Sequence, residues 1–448
     1  MLLAPLLAIP ALLPHAARAQ PADRYLIDQY FPEGVPGYGD QLGTTVLSRA
    51  RPEYDPLGIR SGDFIIRPEV DQSIGYNSNF IGQVPPQASL FEQTSASLRF
   101  NSDWKRNSIG GELTVTNEQV PSIPNQSTTQ WTASLGGSYQ IGRDTLTVSA
   151  SHLNLYESPT ALDVTAFNRP GVLYSAPIPF TMNDVRVSYA VDLGRITLIP
   201  NFDYTNLTFS NANLYGLNGF AVPAPTNGFI LGIPATQGYR DRNLYEGGVT
   251  AKYEFAPLRD LLFVVRDTSV DYVNSSQLFG PNRSGNALEV LTGIDYASSA
   301  VWRYRVLVGY EVRQFNNYSS HSSPIFEGNV IWQPTGLTTV TLQALRTIED
   351  AADENIAGYV YTSGRLQVDH ELRRNILLNA YTSIQRADYI QANGGNETFY
   401  GAGTGVTYLM NRYVHLALTY DFVDHNGANG FGPNYIQHIG MLQVRLAM

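Results

Sequence analysis

From about Phe64 onward, apolar and polar residues alternate with a period of two in one segment after another. The clearest runs from Trp302 to Arg313. Trp302, Tyr304, Val306, Val308, Tyr310 and Val312 fall on one face, and Arg303, Arg305, Glu311 and Arg313 fall on the other. That period belongs to a β-strand with two different surroundings. One such strand would suit a soluble sandwich, but the pattern recurs about eighteen times. The segments lie near 64–76, 89–101, 109–119, 129–141, 144–156, 181–192, 196–209, 242–255, 261–273, 287–297, 301–314, 324–334, 338–347, 359–370, 376–387, 397–409, 413–423 and 436–448. Many are ten to fourteen residues long, about twice the ordinary soluble strand and enough for a tilted strand to cross a bilayer.

The connections alternate in length. Short ones such as Ile141-Gly142-Arg143-Asp144, Asp192-Leu193-Gly194-Arg195, Pro334-Thr335-Gly336-Leu337, Arg373-Arg374-Asn375 and Met410-Asn411-Arg412 are rich in turn formers. Long polar stretches at 157–180, 211–240, 348–358 and 424–435 separate them. Short turns on one side and long loops on the other predict an all-β fold: a transmembrane antiparallel β-barrel of about 18 strands, with 16 as the alternative count. Gly440 to Met448 alternates without a break and stops on its apolar face. Such an end leaves a sticky edge in water but suits a closing barrel strand. Pro68 and Pro200 lie inside expected strands and predict local bulges or edges. The apolar face also changes parity between Phe263 and Val270, which points to a further bulge.

The N-terminal region follows a different rhythm. Leu2 to Leu13 is a short apolar run followed by Ala17-Arg18-Ala19, a small-x-small cleavage site. Residues 1–19 therefore read as a signal peptide cleaved near Ala19, although no basic residue precedes the run. Residues 20–61 carry five prolines and no sustained period, and read as an irregular periplasmic arm. The sharper alternative is that this arm folds back to narrow a pore or docks a partner. Residues 62–448 make up the expected barrel, placed in the bacterial outer membrane.

Composition narrows the chemistry. The 448 residues include 15% charged residues, 39 Gly, 28 Tyr and no Cys. The charged share lies below the roughly 25% of a soluble domain, and the missing cysteines remove disulfide scaffolds, thiolate metal sites and thiol catalysis. A net charge of −10, with Lys105 and Lys252 the only lysines, argues against nucleic acid as a partner. The expected partners of such a barrel are outer-membrane lipid and lipopolysaccharide and the barrel assembly machinery. No cofactor is expected.

Arg51-Pro52-Glu53-Tyr54-Asp55-Pro56-Leu57-Gly58-Ile59-Arg60, followed by Phe64, Pro68 and Gly75-Tyr76-Asn77-Ser78-Asn79, resembles the opening of a family of outer-membrane β-barrel porins. Members are often encoded in proteobacterial exopolysaccharide loci. The resemblance covers residues 51–448. It implies an outer-membrane barrel and, more weakly, a porin-like conduit for exopolysaccharide export, with periplasmic polysaccharide export components as partners. A general-diffusion or small-solute porin is the alternative function, with a hydrolase or an adhesin barrel behind it.

If the apolar faces meet lipid, the alternate residues line a pore. Expected pore-lining residues include Arg303, Arg305, Glu311, Arg313, Arg365, Asp369, Glu246, Glu254 and Arg445. Their charges can serve as a stabilising network between strands or as a selectivity field. Arg303, Arg305 and Arg313 form the candidate grip for an anionic sugar, because guanidinium meets carboxylate through a planar fork. Thr132, Ser134, Gly136 and Ser138 on one strand, and Thr145, Thr147, Ser149 and Ser151 on the next, form a small polar wall suited to a wet lumen. Loop 211–240 is the most apolar long connection and either enters the mouth or packs on a neighbouring loop. Glu349, Asp350, Asp353 and Glu354 are candidates for binding divalent cations, with a solvated loop as the simpler expectation. His152, His321, His370, His415, His425 and His438 sit in no recognisable nucleophile or zinc motif, so an enzyme is not expected.

Overall fold

The computed structural model describes residues 35–38, 44–162, 164, 173–174, 176–211, 214–215, 221–222, 229–230, 233–234, 237–274, 281–297, 301–353, 356–390, 395–429 and 431–448. The expected signal peptide, with its cleavage site at Ala19, lies outside the described residues, as does Glu354.

Each two-residue period becomes one long strand. In chain order these are β1 (Phe64–Asn77), β2 (Ser89–Ser102), β3 (Ser108–Gln119), β4 (Thr128–Ile141), β5 (Asp144–Glu157) and β6 (Ile178–Asp192). Then follow β7 (Ile196–Phe209), β8 (Arg242–Ala256), β9 (Arg259–Tyr272), β10 (Gly285–Tyr296), β11 (Trp302–Phe315) and β12 (His321–Thr335). The last six are β13 (Thr338–Glu349), β14 (Tyr359–Arg373), β15 (Ile376–Tyr389), β16 (Asn396–Leu409), β17 (Val414–Ala428) and β18 (Tyr435–Ala447). Every strand pairs antiparallel with the next, and β18 pairs with β1 from Glu69↔Ala447 to Asn77↔Ile439. The sheet is a closed barrel of eighteen strands. Closure satisfies the row of N–H and C=O groups that the C-terminal strand would otherwise expose.

The two ends of the barrel differ. After every even-numbered strand before the last, the chain turns back within two to five residues, as at Gly142-Arg143 and Gly336-Leu337. After every odd-numbered strand comes a connection of five to thirty-two residues, the longest being 210–241. Phe64 and Ala447 both lie at the turn end. A three-residue strand, Ile59–Ser61, folds back onto Phe64–Ile66 there.

The apolar faces point outward. Leu135, Phe202, Phe263, Val308 and Leu418 are each about half exposed although they sit mid-strand. In water that surface would drive aggregation; against acyl chains it is the stable surface. Outward aromatics pair near the turn end, with Trp302 stacked on Trp332 at 5.5 Å and Tyr296 on Tyr304 at 4.9 Å. Tyr204 and Tyr245 do the same on the loop half at 5.2 Å. Such belts suit rings with one wet and one oily side.

Three local expectations resolve differently from one another. Pro200 breaks its ladder, since the β6–β7 pairing lapses between Ser188↔Asn201 and Val191↔Leu198. Pro68 leaves its β2 register intact and lies just past the point where β18 ends, so no neighbour needs its missing N–H. The parity change on β9 is not a bulge. From Leu261 to Val270 its register with β8 and β10 is continuous, and Leu262 and Val264 simply face inward, packed with Leu291, Leu307 and Ile325.

The outward assignment predicts that Leu135→Arg, at mid-strand on the lipid face, costs about 2–4 kcal/mol of barrel stability. The same change at Thr250, which borders the interior cavity described below, should cost much less. Urea unfolding of each variant from lipid vesicles compares the two.

Candidate functional site

Because the barrel is closed, the polar half of every strand must meet inside it, where charges are stable only if paired or wet. Much of the pairing is between neighbours in register. Arg99 on β2 meets Glu112 on β3 at 3.1 Å, and Arg305 on β11 meets Asp295 on β10 at 2.7 Å. Arg445 on β18 reaches Asp71 at 2.7 Å and Glu69 at 3.5 Å on β1, an ion pair across the closing seam. Arg266 on β9 bridges Glu289 at 2.9 Å and Glu327 at 2.6 Å.

A cavity of about 380 Å³ lies between the walls from β6 to β13. Asp184, Asp203, Glu246, Glu289, Glu311, Glu327, Glu349 and Asp350 border it, against Arg186, Arg266 and Arg313. Eight carboxyl groups against three guanidiniums leave a formal excess of five negative charges. Thr205, Thr250 and Thr268 supply neutral hydroxyls around the same space.

Loops pack against one another across the loop end of the interior. Leu162 and Ala351, from loops on opposite walls, share an apolar cluster with Tyr359, Tyr361, Tyr389, Phe399 and Tyr435. Ala161, Val164 and Ala352 join a second cluster with Leu153, Leu155, Phe180, Met182 and Leu207. Arginines then lash the loops together. Arg240 donates to Glu157 at 2.7 and 2.9 Å, while Arg283 donates to the carbonyls of Ala351 and Asp353. Arg242 and Arg313 both engage Asp350. Arg240 lies 4.0 Å over the Phe209 ring, and Arg283 lies 4.6 Å over Tyr272. Asp350 is thus a buried counter-ion rather than part of a solvated acidic loop. Loop 210–241 packs on its neighbour at its described positions: Leu214–Tyr215 pairs with Leu173–Tyr174, and Tyr239 donates to the Ala352 carbonyl at 2.7 Å.

The segment expected as a periplasmic arm enters the barrel in its described residues. Val35 and Tyr38 are buried in the cluster of Leu153 and Phe180, and the Tyr38 hydroxyl donates to Asp184 at 3.3 Å. Burial, and next the Asp184 carboxylate, push the Tyr38 phenol up to about 12. Residues 44–58 follow the inner rim at the turn end. The Val46 N–H donates to Thr339 at 2.9 Å, Arg51 to Glu371 at 2.9 Å, and the His415 ring to the Tyr54 carbonyl at 3.1 Å. No periodicity marks this segment, so its individual contacts were not readable in advance, although folding back was one of the two expectations.

The expected pore-lining residues do not form one site. Glu246, Glu311 and Arg313 border the cavity. Arg303 instead donates to the Thr44 carbonyl at 3.1 Å, and Arg305 is held by Asp295, so the three arginines do not converge into an anion grip. Arg365 stacks 3.6 Å over Tyr381 and shares Gln367 with Asp369 on another part of the wall. Glu254 is exposed at the turn end, accepting from the Leu258 N–H at 3.3 Å. Arg445 lies at the seam. The histidines are scattered: His152 meets Asn183, His370 meets Thr338 and His438 meets Tyr420. Among the described residues no three metal-ligating side chains gather.

Asp350 carries a prediction. Asp350→Ala removes the carboxylate shared by two buried guanidiniums, a loss that typically costs about 3–5 kcal/mol. Thermal unfolding should therefore shift down, and loop 350–358 should become sensitive to added protease. Intact protease resistance and an unchanged transition would show that Asp350 is not the counter-ion.

No curated protein sequence matches the chain. Among solved structures it is similar to the outer membrane protein OpdK from Pseudomonas aeruginosa, at 11% identity and a TM-score of 0.43 over 86% of this chain and 99% of that one. It is similar also to OccAB4 from Acinetobacter baumannii, at 11% identity and 0.44 over 86% and 98%. A BenF-like porin from Pseudomonas fluorescens Pf-5 gives 10% and 0.44 over 86% and 99%. The family model described as "Putative beta-barrel porin 2" matches residues 51–448. That span takes in the whole barrel and the later half of the rim segment before it, and the chain therefore belongs to this family of outer-membrane β-barrel porins.

Proposed function

We propose that this porin-like channel passes small polar solutes and prefers cationic ones. The supporting observation is the acidic cavity between β6 and β13, packed over at its loop end by arginine-tied loops. Fixed charge of one sign in a confined aqueous space concentrates counter-ions and repels like charge. A compartment of about 380 Å³ suits a small solute better than a moving polymer.

Export of exopolysaccharide is the second reading. It draws on the family's resemblance to barrels found beside polysaccharide genes, and it would add periplasmic export components as partners. In either case residues 1–19 act as a signal peptide cleaved after Ala19, and the barrel assembly machinery inserts the chain among outer-membrane lipid and lipopolysaccharide. The short turns would then face the periplasm.

Reversal potentials in planar bilayers under a KCl gradient test the preference. The cation-favouring reading expects a cation-selective potential that weakens in the Glu246→Gln, Glu289→Gln double variant. An anion-selective channel would overturn it. Block by an anionic sugar polymer at low concentration would instead favour the export reading.

A further inference from the structure

Residues 35–38 and 44–58 form none of the barrel, yet side chains from half the barrel hold them. At the turn end the hydrogen bonds run along the rim in strand order. The Thr44 carbonyl accepts from Arg303 on β11 and Gln333 on β12. Val46 follows at Thr339 on β13, and its side chain packs with Leu377 of β15 and Leu409 of β16. Next come Arg51 at Glu371 on β14, Pro52 accepting from Arg412 at 2.9 Å, and Tyr54 accepting from His415 on β17. The Arg51 and Glu371 side chains are nearly inaccessible, at 1% and 3% exposure. A buried pair of that kind is costly to leave half-made, so each partner holds the other in place.

The second piece lies against the opposite wall, at mid-height. The inward faces of β4 and β5 there carry Gly136 and Ser149, a pair in register. A Cβ at Gly136 would overlap the Pro36 carbonyl oxygen, so the strand has no side chain where the segment passes. Gly37 lies on Ser149 with a φ of +91°, a conformation that glycine adopts freely. Ser149 is only 2% exposed as a result. The next contact, from Tyr38 to Asp184, places the segment at the border of the acidic cavity.

We propose that residues 35–38 and 44–58 are an internal strap that obstructs the lumen, and that conductance is set by whether the strap remains seated on the Gly136–Ser149 wall. Both described pieces lie inside the ring, one against the Gly136–Ser149 wall and one along the rim at Thr339 and Glu371, so each occupies cross-section that solute would otherwise use. The contacts that hold it are side-chain hydrogen bonds and ion pairs instead of a continuous ladder. Among the described residues before β1, only Ile59–Ser61 is anchored by strand pairing. Such an element can leave its seat while every barrel strand keeps its partners. The inference rests on the channel reading but not on the sign of its selectivity.

Two variants in the full chain test it. Deleting residues 35–55 removes the strap, and Gly136→Leu evicts it from its seat without shortening the chain. Single-channel conductance should rise several-fold in both. Ser149→Cys reads the seat directly, because the chain has no native cysteine. It should resist a water-soluble thiol reagent in the full chain and react rapidly once the strap is deleted. Unchanged conductance in both variants, with the barrels inserted and strand-rich by circular dichroism, would overturn the proposal. So would rapid labelling of Ser149→Cys with the strap present. A cation preference that disappears while conductance still rises would count against the proposed selectivity alone.

Discussion

In the hydrocarbon layer no water can satisfy a peptide group, so each N–H and C=O must find a partner on the neighbouring strand. That requirement closes the sheet through β18 and β1 and fixes the pairing register around the ring. It also sorts side chains, because with a period of two one half of each strand must be oily and the other half faces whatever the ring encloses. The concentration of arginine and carboxylate inside the barrel follows from this sorting. Arg99 with Glu112, Arg305 with Asp295 and Arg445 with Asp71 are neighbours across a ladder, so much of the interior charge serves first to make the wall tolerable to itself.

What remains after that pairing gives the interior its character. The space between β6 and β13 keeps an acidic excess, whereas the loop end is basic and aromatic, with Arg240, Arg242, Arg283 and Arg313 set among Phe209, Tyr272 and Phe315. The two regions share Asp350, which borders the cavity and binds two of those arginines. The acidic cavity and the loop packing therefore meet at one carboxylate. The barrel is held by backbone ladders, while the elements that fill it are held by side chains. Any change of state would be expected in the filling and not in the wall.

The architecture was largely legible because the lipid-facing half of each strand leaves a period that survives without any alignment. Trp302 to Arg313 shows this clearly, and the strand found there, Trp302–Phe315, keeps the faces that the alternation assigned. Legibility failed where inside and outside share a chemistry. Leu262 and Val264 are apolar and inward, so β9 mimicked a bulge. It failed again for Arg303, Arg305 and Arg313, since alternation gives a face but not the partner on the next strand or in the arm. The strap was the least readable element. Its contacts lie hundreds of residues away in sequence, as with Val46 and Thr339, and a Pro- and Gly-rich stretch carries no period to announce them.

The central claim is that oily residues face lipid and their sequence neighbours face water inside one closed ring. The absence of native cysteine allows this to be measured residue by residue. Single cysteines at Asn201, Phe202 and Asp203 of β7, in membranes and in the strap-deleted chain, would be exposed to a membrane-impermeant thiol reagent. The account predicts labelling at 201 and 203, which border the cavity or its wall, and protection at 202, which is exposed on the outer face. Labelling at 202 with protection at its two neighbours would contradict it.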